Sequence, residues 1–154
     1  MSNALSASQL PTLIARAEQA GGSWVVVVMA SLPNCAWCDL VLRDQLIPRM
    51  RSTQSPQVGV AILDITDRRP IRIESRSGDR PPEARWLLES PLEWARQHNI
   101  RMAPTVFPIS SSGKPIGEPL VGYSSADFYG AYLEDRISLA QRHWGANRPT
   151  GATT

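Results

Sequence analysis

The spacing of apolar positions along this chain alternates between helical and extended periods. Leu10, Leu13, Ile14 and Ala17 recur three and four apart, with Pro11 early and Gly21-Gly22 as a stop. That spacing predicts a helix after a loose lead-in over 1–7. Trp24-Val25-Val26-Val27-Val28-Met29 is apolar on both parities and rich in β-branched residues, as a central strand covered on both faces requires. Ser31-Leu32-Pro33-Asn34 interrupts it. From Cys35 the period is helical again: Cys38, Val41, Leu42 and Leu46 share a face, and Pro48 is expected to limit the regular helix. Residues 58–65 read as a second strand. Strand, helix and strand in that order predict a right-handed crossover and a parallel pair.

The second half begins with a long polar stretch. Residues 66–90 hold six arginines (68, 69, 72, 76, 80 and 85), five acids (67, 74, 79, 83 and 89) and Pro81-Pro82. A loop of this length is either a solvated insertion or a docking surface, with Trp86-Leu87-Leu88 anchoring its far end as a short helical turn. Ser90, Pro91 and Glu93 then open a helix reaching about His98. Residues 105–109 read as a strand in which Pro108 removes one ladder donor. After the turn at 110–114, a strand over 116–121 should pair antiparallel, with Gly117 and Pro119 suited to an edge. Gly122-Tyr123 turns the chain. A last helix, capped by Ser124 with Asp127 three residues on, buries Tyr129, Leu133, Ile137, Ala140 and Trp144, and 145–154 reads as a frayed tail. No internal repeat is visible. The order α-β-α-β-α-β-β-α describes a thin mixed α/β sheet with helices on both faces.

Composition narrows the class without changing this picture. A chain of 154 residues with 42% hydrophobic content suits one domain, here 8–144, with a sizeable core. A net charge of +2 and no basic run interleaved with aromatics argue against nucleic acid as a partner. The longest apolar run, from Trp24 to Ala30, is too short to span a bilayer. The start lacks a charged segment followed by an apolar one. Ser2-Asn3-Ala4 looks like the remnant of a removed tag, which leaves room for a trimmed leader and export; a native cytosolic start is the alternative.

Cys35 and Cys38 are the two cysteines present. Three positions apart, they close too small a loop to staple a fold, so their value lies in chemistry. A thiol at a helix N-terminus feels the positive end of the macrodipole and free backbone N–H groups, which lowers its pKa. In that geometry Cys35 faces outward as the nucleophile and Cys38, one turn in, resolves the mixed disulfide. A c-type haem site would need His at position 39, which is Asp. Structural zinc needs four ligands, and only His98 and His143 could join the thiols. A two-coordinate Cu(I) site remains open on softness alone.

Several short pieces carry a resemblance: Val28-Met29 leading through Pro33-Asn34 into Cys35-Ala36-Trp37-Cys38, Leu63-Asp64, Ala103-Pro104-Thr105, Gly122-Tyr123, and Asp127-Phe128-Tyr129-Gly130. Over 24–141 the chain resembles the thioredoxin superfamily, and within it the SoxS-type periplasmic thioredoxins of bacterial sulfur-oxidation systems. The resemblance implies a thioredoxin fold with a central four-stranded mixed sheet, here with an extra N-terminal helix and the 66–90 insertion. It also implies a cis peptide before Pro104, facing the cysteines, with Ala103 and Pro104 receiving substrate as an added strand. Ala36 and Trp37 would complete the substrate-binding face. One departure is clear: thioredoxins carry a buried aspartate six positions before the first cysteine, and here that residue is Met29.

Reductases and oxidases of this type span about −270 to about −120 mV. Ala36-Trp37 supplies no cation to favour the strong-oxidant end, so a reductase is expected. By resemblance, the monomer would pass electrons to a disulfide or oxidised cysteine on a partner such as a sulfur carrier. It would be recharged in the periplasm by a membrane thiol transporter of the DsbD/CcdA kind, with no cofactor beyond the cysteine pair. A disulfide oxidase or isomerase, and a non-catalytic binding or Cu(I)-carrying module, are the alternatives.

Overall fold

The computed structural model describes residues 5–71, 86–123 and 126–146. Its centre is β1 (Trp24–Ser31), with residues 24–30 all buried. That strand pairs parallel with β2 (Gln57–Asp64) and antiparallel with β3 (Thr105–Pro108). A short β4 (Leu120–Val121) pairs antiparallel with β3, giving the order β2-β1-β3-β4 in a mixed four-stranded sheet. The helices are α1 (Leu10–Ala20), α2 (Ala36–Val41), α3 (Ile47–Arg51), α4 (Pro91–Gln97) and α5 (Ala126–Ala146).

Apolar runs on both parities of β1 and β2 require cover on both faces. Leu13 of α1 and the Trp24 ring close over Gly59, where any Cβ would meet them at 2.9 and 2.8 Å. Trp94 of α4 stacks on Phe107 of β3 at 5.7 Å, and register puts Phe107 opposite Val28. Side chains of Val26, Val28 and Phe107 share a face with the Cβ position of Gly59, so α1 and α4 cover it. The predicted stripe on α5, from Tyr129 through Leu133, Ile137 and Ala140 to Trp144, is buried. Ser90 caps α4, its Oγ accepting the Glu93 N–H at 3.1 Å.

Two expectations change. Pro48 does not end the helix: a π turn over Leu42–Leu46 widens the ladder just before it, with the Ile47 N–H donating to Leu42 O. The wider turn accommodates a residue that lacks a donor and crowds the preceding turn, so α3 continues to Arg51. The strand expected over 116–121 shrinks to two residues. Gly117 takes φ +80°, Pro119 has no N–H, and the Glu118 carbonyl accepts from Arg136 Nε at 2.7 Å instead of a strand. Pro108 is tolerated in β3 because the Ile109 N–H bonds Val26 O, leaving position 108 non-bonded towards β1. The lead-in is anchored by Leu5, whose carbonyl accepts the Ile62 N–H on the outer edge of β2.

The polar stretch closes on itself where it is described. The Ile71 N–H donates to Glu89 O at 2.9 Å, and Leu92 N–H to Asp67 O at 3.1 Å. Trp86 and Leu87, in a short 3-10 turn, are buried. Residues 72–85, the Ser124 cap and the tail from 147 lie outside the described residues.

Candidate functional site

The chemistry sits where β1 ends. Pro33 breaks the strand and Asn34 turns the chain through a left-handed conformation, φ +57°. Cys35 is then extended (φ −100°, ψ 102°) and occupies the N-cap of α2. Its Sγ accepts the Cys38 N–H at 3.1 Å, the role that serine or aspartate oxygens usually fill at such a cap. The two cysteines form a disulfide, with Cα atoms 5.2 Å apart. Cys35 is half-buried and Cys38 is 2% exposed. Between them, Ala36 is exposed and Trp37 is 58% exposed.

Sheet register brings the other named residues to the same end. Ala30 pairs with Thr105, so the segment entering β3 lies beside the segment leaving β1. The Ala103–Pro104 peptide is cis, Pro104 is buried and Ala103 is half-buried. Thr105 Oγ1 donates to Met102 O at 2.6 Å, and the Pro104 carbonyl accepts the Gly122 N–H at 2.8 Å. Leu32, Met102 and Val121 are exposed around this end, together with Trp37.

A disulfide spanning a helical N-cap, with one cysteine half-buried and the other covered, can exchange with a thiol or disulfide that approaches Cys35. The position six residues before Cys35 offers no carboxylate. Met29 is buried between Ile62 and Val106 on the neighbouring strands.

The histidines stand apart from the cysteines in the fold. His98 ends α4 with its ring 5.9 Å from Trp94, and His143 lies on α5 against Trp144. Burial lowers the pKa of both, helped at His98 by the charge of Lys114. Among the described residues no three His, Cys, Asp or Glu side chains come together as a metal cluster. No described helix is long and apolar enough to cross a membrane.

Sequence reasoning missed Gln45. It is buried in the π turn, and its Nε2 donates to Tyr123 Oη at 3.3 Å. Arg49 Nη1 donates to Gln45 O at 2.9 Å and to its Oε1 at 3.2 Å, while Arg49 Nε binds Glu134 on α5 at 2.7 Å. The signal was present: Gln45 lies four residues after Val41, a polar group inside the apolar stripe. Tyr123 packs edge-on against Tyr129 at 4.8 Å, and burial raises the Tyr129 pKa. No family model matches the chain, and no curated protein matches it either.

Proposed function

We propose that the chain is a thioredoxin-fold thiol–disulfide oxidoreductase that acts as a reductase through Cys35 and Cys38. The observation that carries this reading is the disulfide at the N-cap of α2, with Cys35 half-buried and Cys38 covered. Support for the fold comes from the strand order β2-β1-β3-β4 and from the register that places Pro104 beside the end of β1.

In the working direction the Cys35 thiolate attacks one sulfur of a partner's disulfide. That bond breaks, a mixed disulfide forms, and the departing partner sulfur takes up a proton. Cys38 then loses its proton and attacks Cys35 Sγ, the mixed disulfide breaks, and the second partner thiol leaves. Two electrons pass to the partner and the Cys35–Cys38 disulfide remains. An external dithiol recharges it; the resemblance suggests a membrane thiol transporter of the DsbD/CcdA kind and a periplasmic setting, with a sulfur-oxidation carrier as the partner. With Met29 where a carboxylate would sit, the Cys38 proton leaves without one from that position.

The local charges support the reductase direction. Asp39 puts a negative charge in the first turn of α2, and Ala36-Trp37 adds no positive one. Neither favours the thiolate enough to make a strong oxidant. A redox titration in glutathione or dithiothreitol buffers should give a potential below about −150 mV; a higher value overturns the direction. Cys38→Ser should capture partners as mixed disulfides through Cys35. Capture by Cys35→Ser instead reverses the two roles. Failure to reduce insulin disulfides removes the catalytic reading in favour of a binding module.

A further inference from the structure

We infer that Tyr123 is a positioning residue that ties the turn beside Pro104 to the dithiol helix through Gln45. The inference rests on the reductase reading and deepens it. Two hydrogen bonds make the link. Backbone Gly122 N–H holds the Pro104 carbonyl at 2.8 Å, and the next residue, Tyr123, accepts from Gln45 Nε2 at 3.3 Å. Gln45 lies seven residues beyond Cys38 on the same continuous helical run, α2 through the π turn to α3.

Burying a primary amide is costly unless both of its ends are bonded. Here both are. Arg49 Nη1 serves Oε1, which leaves Nε2 to Tyr123, and Glu134 fixes Arg49 from the other side. Residue 130 of α5 lies beside this amide: a Cβ there would make an ordinary van der Waals contact, 3.5 Å, with Gln45 Oε1. The π turn matters for the same reason, because its extra residue sets where Gln45 falls relative to Val41 and Leu46. Main-chain atoms at Ala103 and Pro104 are what an incoming extended segment would meet. Their placement relative to Cys35 therefore depends on a tether that touches neither sulfur.

Two readouts test the tether. Tyr123→Phe and Gln45→Leu should speed hydrogen exchange of the Gly122 amide about threefold to tenfold, and raise KM for insulin by a similar factor. The rate of Cys35 alkylation by iodoacetamide in the reduced protein should not change. Gln45→Glu, whose carboxylate can accept from the Tyr123 hydroxyl and from Arg49, should restore both readouts. Unchanged Gly122 exchange in Tyr123→Phe overturns the tether. So does a loss of activity carried by slower Cys35 alkylation, which would mean general damage to the site. If the unaltered protein does not reduce insulin, the reductase reading falls, and Gly122 exchange still decides whether the tether exists.

Discussion

The two ends of the sheet treat tryptophan in opposite ways. At the end where β1 begins and β3 finishes, the rings of Trp24, Trp86, Trp94 and Trp144 are buried. Three of them donate their indole N–H to main chain: Trp24 to Leu13 O, Trp86 to Ser111 O and Trp94 to Gly113 O. Trp144 is the exception, its N–H covered without a partner. At the disulfide end Trp37 stands 58% exposed among Leu32, Met102 and Val121. A buried indole contributes area and must satisfy its one donor. An exposed one leaves apolar surface in water, which a folded chain has no stability reason to keep. One end seals its rings away; on the proposed function, the other keeps its ring for contact.

Trp94→Ala should break the sealed end most severely. The ring is fully buried, stacked on Phe107, close to Trp86 and bonded to Gly113 O. A loss of about 3–5 kcal/mol is expected by urea denaturation. A loss under about 1 kcal/mol would mean that this end is not the cornerstone it looks. Two glycines give a finer comparison. Gly113 (φ +85°) and Gly122 (φ +78°) share a backbone conformation that favours glycine, but their surroundings differ. A Cβ at 113 would sit 2.6 Å from the Trp86 ring, whereas at 122 nothing lies within 4 Å. Gly113→Ala should therefore cost about 2–3 kcal/mol and Gly122→Ala about 1 kcal/mol. Equal losses would show that backbone conformation, and not the tryptophan seal, sets the cost.

The same contrast explains what was legible in the sequence. Elements held by apolar pattern were readable: β1 and β2 from runs on both parities, α5 from its stripe, α4 from Ser90 and Pro91. The cysteine pair was readable because its spacing and its place after a buried strand are local. Features that depend on what lies across the molecule were not. Whether residues 116–119 join a ladder is decided by Arg136 taking the Glu118 carbonyl, eighteen positions away. Passage of a helix through Pro48 depends on a π turn that no apolar period announces. In the sequence Gln45 is no more than a polar residue inside an apolar stripe, and its meaning appears when Tyr123, seventy-eight positions on, is placed beside it.

Trp37→Ala tests the contact end. Because the ring is largely in water, its removal should change unfolding free energy by no more than about 0.5 kcal/mol. On the reductase reading kcat/KM toward insulin should fall several-fold, since this exposed residue lies between the two cysteines in the chain. A stability loss like that of Trp94→Ala would erase the distinction between the two ends. Unchanged kcat/KM would remove Trp37 from the contact surface.

The smallest expected effect comes from pH, and it belongs to the sealed end. His98 packs on Trp94 and His143 on Trp144, and burial holds both below the usual imidazole value, with Lys114 adding to the effect at His98. A group whose folded pKa is depressed binds fewer protons folded than unfolded. Its contribution is intact above the unfolded value, about 6.5 for histidine, and is lost as pH falls through that value toward the lower folded one. Thermal midpoints should therefore slope downward from pH 7.5 to 5.5, and the double substitution His98→Asn, His143→Asn should flatten that slope. Asp67 does not confuse the measurement. Its carboxyl is lowered by hydrogen bonding to Arg69, so its titration lies below the ordinary aspartate value, well under this window. A slope that survives the double substitution would assign the acid sensitivity to other groups and leave the tryptophan end insensitive to the charge state of its two histidines.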